Sequence, residues 1–430
     1  MNIRSIFNSQ FYRNTFVLFS GNAVNQIIIL LTYPIISRLY EPADFGHFEQ
    51  VNAIFLFIVL LASLRYEYAI IIAKDDNEAS NVLTLSLFLL IVFSVVVFIL
   101  LLLFRSSIAV MLSNPKLELY LFWISPFLLV AGMQQILYNW IIRKKNFKLA
   151  NSSNILKSST NSLGRVALGF IIANPISLFL SRGISFLLSL LILVRKEIIP
   201  FFNALKNGVI SLPGVMSVAK KYKDFPLYMS GGVILNRFTT SLTPLLLSGF
   251  FGLKVLGFYA MANTALNIPI SILRNSIQTV FLQEASELKN KEKKISGELL
   301  KITLLLFTIG IIPTGLIIGF GPKIFSFILG SQWELSGTIA SIIIIWLFFT
   351  IVATPSMAIV PVVNLQQYYL ILQTILCITR IVVLFGTYTL YGELKSVLYG
   401  LMLHGSLFNI FNVIYVMKKT HQIEIRNFEA

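Results

Sequence analysis

Six arginines fall inside long apolar runs of this chain: Arg65, Arg165, Arg182, Arg237, Arg274 and Arg380. A guanidinium there costs roughly 2.5–3.5 kcal/mol on insertion scales, so it marks a hydrated or ligand-lined cavity or reaches for a headgroup. Acids in the same runs are few: Glu67 near Arg65, and Glu49 near one end of its run. Residues 65 and 67 are two apart and do not share a helix face, so Glu67 is not expected to neutralise Arg65. The surplus of buried positive charge calls for an anion. A planar guanidinium fork suits the oxygens of phosphate or diphosphate, whereas a transported cation would call for Asp or Glu.

Depth sorts the six. Arg237 and Arg380 fall near the middle of their runs, Arg165 past the middle, and Arg182 about two turns from an end. Arg65 and Arg274 lie toward the cytoplasmic side, where snorkelling is the simpler reading. Amides share the same runs, and Asn25, Asn52, Asn236 and Asn263 are candidates to line a sugar-binding space with donors and acceptors. Any one of them serves equally well as an interhelical hydrogen bond. His404 and Glu49 are the titratable groups that would couple transport to H+ or Na+. Enzyme constellations are missing: the three histidines are scattered, no HExxH occurs, and the single cysteine, Cys377, sits in an apolar run. No metal site or cofactor is expected.

These side chains need elements to hold them, and composition says which. The sequence is 56% hydrophobic and 12% charged, about half the charge of a soluble domain, which makes it an all-α polytopic membrane protein. Twelve spans are predicted: 13–38, 45–72, 79–104, 117–142, 150–173 and 176–194 in the first half, then 224–251, 256–282, 298–320, 335–362, 365–390 and 395–417. Of the 34 Lys and Arg, 22 fall to one side, 6 to the other and 6 within spans, so both termini are placed in the cytoplasm. Alternation by loop also explains the net charge of +16 without nucleic acid, whose binders gather their charge on one face. The first apolar run is read as a retained span, since no short h-region with a cleavage site precedes it.

Residues 196–223 are basic, contain Pro200, Pro213 and Gly214, and read as a cytoplasmic linker between two six-helix lobes, 1–195 and 224–430. An amphipathic helix on anionic lipid suits the same stretch. A shift of 211 positions lays Gly21 on Gly232, Asn25 on Asn236, Thr32 on Thr243, Ser37 on Ser248, Gly46 on Gly257 and Asn52 on Asn263. Six spans per half make this a parallel repeat, with ligand expected between the halves and Asn25 facing Asn236. Arg237 falls on Gln26, so the second half supplies a charge the first does not. No extramembrane loop is long enough for a catalytic domain, and no phosphate-binding G-x-x-x-x-G-K-[ST] loop is present.

The stretch Tyr33-Pro34-Ile35-Ile36-Ser37-Arg38-Leu39-Tyr40-Glu41-Pro42-Ala43-Asp44-Phe45-Gly46 resembles the first helix pair of the polysaccharide-transport flippases. These are the Wzx-type exporters of the multidrug/oligosaccharidyl-lipid/polysaccharide superfamily. Leu256-Gly257-Phe258-Tyr259-Ala260-Met261-Ala262-Asn263 and Leu329-Gly330-Ser331-Gln332-Trp333-Glu334 are similar to the family too. The resemblance implies two six-helix lobes around a cleft of alternating access. It implies as substrate an undecaprenyl-diphosphate-linked oligosaccharide, of O-antigen or capsule type, moved to the outer leaflet of a bacterial inner membrane. It implies a monomer among membrane lipids, working beside a polysaccharide polymerase and chain-length machinery. A cation-coupled drug antiporter shares the fold, and a membrane glycosyltransferase or polymerase is the alternative from another class. The arginine excess disfavours the antiporter, and the want of an outer acidic site beyond Glu41, Asp44 and Glu334 disfavours the enzyme.

Overall fold

A computed structural model describes residues 10–206, 211–223, 225–226 and 230–429. Arg4 and linker residues 207–210 lie outside the described residues, as does the side chain of Arg13. Among the described residues the structure is helical, with no strand. The long helices are α1 (Gln10–Leu39), α2 (Pro42–Leu61), α3 (Asp76–Met111), α4 (Ile124–Arg143), α5 (Phe147–Ile171) and α6 (Pro175–Lys206). A short α7 (Leu212–Lys221) follows, then α8 (Ser230–Asn290), α9 (Ile295–Leu329), α10 (Glu334–Val352), α11 (Gln366–Tyr391) and α12 (Leu394–Glu429).

Nine of the described helices are long and apolar enough to cross a membrane. One of them, α8, is two spans: its 61 residues would run about 90 Å if straight, three times a ~30 Å hydrocarbon core. Its helical backbone is interrupted at Gly252 (φ 83, ψ 171), a conformation open to glycine, between the seventh and eighth predicted spans. The two remaining predicted spans are α1, whose apolar part is the shorter Val24–Leu39, and α5, which a polar stripe makes less apolar. That accounts for all twelve.

Local signals set the helix ends. Glu41 and Asp44 form a capping box at the start of α2, with Pro42 in its first turn. Asp75 caps α3 by accepting from the Glu78 amide, Asn146 caps α5 and Ser211 caps α7. Helix α2 ends where Leu64 (φ 49) and Arg65 (φ 67) take left-handed backbone, followed by a 3-10 turn at Tyr66–Tyr68.

The chain forms two compact units, Met1–Leu253 and Lys254–Ala430. In unit 1, α1 packs on α5, α5 on α6, α6 on α4 and α4 on α3, while α2 lies against α4 and α6. Its apolar core, including Leu90, Leu121, Ile124, Leu128 and Ile136, gathers where α3 and α4 meet. The first segment of α8, to Leu253, belongs to this unit. In unit 2, α9 packs on α10, α10 on α12, and α12 on α11. Exposed Val96, Ile99 and Leu103 on α3, and Leu304, Leu305 and Ile312 on α9, are the surface that lipid would solvate.

Helix α7 is fastened to unit 1 from outside the spans. Tyr66 Oη donates to Ala219 O at 2.9 Å, Ser211 N to Asn81 Oδ1 at 3.3 Å, and Lys221 pairs with Glu78. The Glu78 carboxylate, as hydrogen-bond partner, holds the Lys221 pKa above its ordinary value.

Candidate functional site

Helix α5 carries Asn154, Lys157, Ser158, Asn161 and Arg165. Spacings of four, three and four among 154, 158, 161 and 165 put these side chains on one helical face, a stripe about 16 Å long. That face turns toward α1 and α6, where apolar contact would otherwise be expected. The result is a cavity of about 330 Å³ lined by Asn25 from α1, by Asn154, Lys157, Ser158 and Asn161, and by Arg182, Ser185 and Phe186 from α6.

Arg182 is the hinge between this cavity and α2. Its Nη1 donates to Asn52 Oδ1, and Asn52 Nδ2 donates to Glu49 Oε2 at 3.0 Å. The guanidinium also lies over aromatic rings, 5.3 Å from the Phe55 centroid and 5.8 Å from that of Phe48. Arg165 stacks on the other side of the cluster, 4.6 Å from the Phe48 centroid. Its backbone carbonyl accepts from Tyr40 Oη at 2.8 Å, which ties the end of α1 to α5. Arg237, from the α8 segment in unit 1, reaches Leu56 O with its Nε at 3.4 Å.

Charge does not balance here. Arg165, Arg182 and Arg237 all act on Glu49, and Arg182 acts in turn on Lys157, so four cations gather around one carboxylate. Among the described residues, none of the four lies within ion-pair distance of an acid. Lys157 Nζ has, among the described residues, Gln134 Oε1, at 3.5 Å, and the Phe186 ring. Several buried polar atoms also lack partners among the described residues: Arg165 Nε, Asn25 Oδ1 and Asn161 Oδ1. Such groups are rare where nothing is to be bound. The arrangement offers charged N–H donors to an anion.

Of the residues expected from sequence, Arg165, Arg237, Arg182, Glu49, Asn25 and Asn52 meet in unit 1. Asn236 is not among the residues lining the cavity with Asn25. Arg65 lies apart, at the end of α2. There its Nη1 is 3.9 Å from Glu67 Oε1 and its guanidinium 4.3 Å from the Tyr68 centroid. The two-residue spacing fails to separate Arg65 from Glu67 because the helix has already broken. Asn263, in unit 2, accepts from Asn267 one turn on, at 2.9 Å. Arg274 is half-buried in the same helix. Arg380 and His404 also lie in unit 2, where His404 Nε2 is 2.8 Å from Thr379 Oγ1.

Lys157, Asn154, Ser158 and Asn161 escaped the sequence reading. Lys157 lies on the third turn of α5, inside the span predicted over 150–173. The available signal was the run of polar residues at helical spacing in an otherwise apolar span.

The comparisons accord with this fold. The sequence matches the family described as "Polysaccharide biosynthesis protein" over residues 35–338. No curated protein sequence matches the chain. Among solved structures, an inward-facing multidrug resistance MATE family transporter of the MOP superfamily superposes with a TM-score of 0.72 at 14% identity, covering 93% of this chain and 95% of that one. The lipid II flippase MurJ, in an inward closed conformation, gives 0.70 at 16% identity over 95% of this chain and 90% of its own. A MOP superfamily transporter from Pyrococcus furiosus gives 0.63 at 15% identity over 95% of each. With the family match spanning well over half of the sequence, the chain belongs to the polysaccharide biosynthesis protein family, and it shares the fold of these transporters from end to end.

Proposed function

We propose that this protein is a flippase that moves an undecaprenyl-diphosphate-linked oligosaccharide, of O-antigen or capsule type, from the cytoplasmic to the outer leaflet of a bacterial inner membrane. The observation that carries the reading is the charge of the unit 1 site: Lys157, Arg165, Arg182 and Arg237 against Glu49 alone. An organic cation would be repelled by this set, while a diphosphate supplies the missing counter-charge and accepts from several N–H groups at once. The family match supports a role in polysaccharide assembly.

In this reading the arginines capture the diphosphate, and the sugars sit among hydrated amides. The polyprenyl tail stays in lipid, and alternating access delivers the headgroup to the other side. Arg274 and Arg65 would steer the phosphate from the cytoplasmic face, while Arg380, Asn236 and Asn263 would line the path. Glu49 and His404 are the groups through which an H+ or Na+ gradient would act. The protein would work as a monomer beside a polymerase and chain-length machinery, with both termini cytoplasmic.

The test is export of surface glycan in cells whose own flippase is deleted, at matched protein levels. Arg182→Gln removes one charged hydrogen-bond donor, worth about 1.5–3 kcal/mol, and should weaken substrate capture about 10- to 100-fold. Near-normal export by both Arg182→Gln and Arg165→Gln would sink the assignment.

A further inference from the structure

We infer that α7 is an interfacial helix whose exposed side rests on anionic phospholipid of the cytoplasmic leaflet, with Leu212 and Met216 entering the headgroup boundary and Lys220 and Lys223 meeting lipid phosphates. This narrows the lipid reading of residues 196–223 to one side of one helix, and it does not depend on the ligand assigned to unit 1.

One side of α7 is already filled. Val215, Val218, Ala219 and Tyr222 recur at helical spacing and pack into the unit 1 core. Tyr66, Asn81 and Glu78 hold the helix in that setting, and a Cβ on Gly214 would stand 2.7 Å from Asn81 Oδ1, so there is little room for it to roll. A second side stays open. Leu212 is 71% exposed and Met216, one turn on, is 66% exposed, with exposed Lys220 another turn along the same row. Lys221 is paired with Glu78, whereas among the described residues no acid lies within ion-pair distance of Lys220 or Lys223.

Position decides what such a side meets. The Ser211 amide bonds Asn81, the third residue of the span predicted over 79–104, while Lys221 bonds Glu78 just before that span. Those two α3 residues are separated by a rise of about 4.5 Å, yet their partners stand ten residues, about 15 Å, apart on α7. Helix α7 therefore crosses α3 instead of running along it, and with α3 across the bilayer it lies close to the membrane plane. Phe88, 60% exposed on α3, is only about 10 Å farther along that helix than Asn81. A soluble acidic protein would meet the lysines but not reach an apolar row at that depth. A zwitterionic bilayer would take Leu212 and Met216 but leave the lysines without net counter-charge. An anionic leaflet supplies hydrocarbon and phosphate oxygens together, as an amphipathic interfacial helix requires.

The experiment uses the full-length protein with Cys377→Ser and Met216→Cys, a neutral environment-sensitive dye being attached at position 216. The protein is placed in nanodiscs of phosphatidylcholine alone, or of equal parts phosphatidylcholine and phosphatidylglycerol. Acrylamide probes the dye from water, and brominated phosphatidylcholine probes it from the bilayer. In the mixed bilayer the dye should be quenched by the brominated lipid and shielded from acrylamide, and less so in phosphatidylcholine alone. A lysine near an anionic surface is worth about fivefold in binding, so Lys220→Gln combined with Lys223→Gln should lower the ratio of seated to free dye in the mixed bilayer about tenfold or more. Leu212→Cys, labelled in the same way, should give the same pattern and takes over if the Met216→Cys protein does not fold. A dye open to acrylamide and unquenched by brominated lipid in the mixed bilayer overturns the inference. Shielding from acrylamide without quenching by brominated lipid overturns it too, because protein would then cover this side. Equal shielding in the two bilayers, unmoved by the lysine variant, overturns the anionic partner.

Discussion

Gln50 donates through Nε2 to Ser248 Oγ at 2.9 Å, joining α2 to the first segment of α8 inside unit 1. The same amide nitrogen reaches Leu112 O at 3.2 Å, and Gln50 Oε1 accepts from Asn114 Nδ2 at 2.7 Å. Asn114 Nδ2 in turn lies 3.1 Å from His47 Nδ1. Gln50, Asn114 and Ser248 are all but inaccessible to solvent, so every group in the network depends on the others. Gln50→Leu should strand Asn114 and Ser248 and cost about 1–3 kcal/mol in each fold that retains the contact. Thermal unfolding in detergent measures the loss, and an unchanged midpoint would remove the network from any role in holding α8 to α2.

Beside it, the two backbones nearly touch. A Cβ on Gly46 would stand 1.8 Å from Leu253 O, so no side chain fits without moving the chain. Gly46→Ala should destabilise this arrangement by about 1–3 kcal/mol, as overpacking does elsewhere. If α2 and this part of α8 separate during transport, the variant should also favour the separated form. Cysteine labelling at Gln50, in a background with Cys377→Ser, should then be faster in Gly46→Ala than in the parent.

The span pattern and the arginine surplus were legible in the sequence because both follow from chemistry that each residue carries alone. Gly252 even marks its own break, since a positive φ there excludes most other residues. What stayed hidden depends on partners. Lys157 falls inside the span predicted over 150–173, but its neighbours follow only from the packing of α5 on α1 and α6. Asn161 looks like an ordinary interhelical amide until its Oδ1 is seen to find no partner among the described residues. The Arg65–Glu67 contact was missed for another reason. The run Ala62-Ser63-Leu64-Arg65-Tyr66 has no glycine or proline to announce a break, yet its backbone turns left-handed at Leu64 and Arg65.

Outside the spans, the Glu78–Lys221 pair gives a pH statement with a definite sign. Lys221 has its pKa raised by the Glu78 carboxylate, so its contribution to docking α7 is complete below the ordinary lysine value of about 10.4. That contribution is lost only as pH rises through the raised folded value. Hydrogen exchange of the α7 amides, corrected for intrinsic rate, should be flat from about pH 6 to about pH 9. Glu78→Gln should raise exchange across that whole range. Equal protection in variant and parent would leave docking to Tyr66, Ser211 and the buried Val218.

Glu49 is the one carboxylate in the cationic site, held by Asn52 Nδ2 at 3.0 Å. Glu49→Gln keeps an oxygen for that contact and removes the charge. Folding should therefore survive, while any transport driven by an imposed proton or sodium gradient in proteoliposomes should fall to the level seen without a gradient. The matched variant His404→Gln separates the two candidates. Gradient dependence that persists in Glu49→Gln but disappears in His404→Gln would move coupling to unit 2.

Arg380 tests whether buried charge is kept at the expense of stability. It is 2% exposed, its guanidinium lies 4.6 Å from the Trp346 centroid, its Nε finds no partner among the described residues, and no acid there lies within ion-pair distance. Stacking on an indole returns about 2 kcal/mol when desolvated, while an unpaired buried cation costs several. Arg380→Gln should therefore be neutral or stabilising in thermal unfolding of the ligand-free protein. A charge that weakens the fold and is nonetheless present needs a use. If that use is the anionic headgroup, the same variant should lower glycan export about tenfold or more, the loss expected of one charged hydrogen bond. A stabilised variant with normal export would take Arg380 out of the ligand set, leaving the anion to the four cations of unit 1.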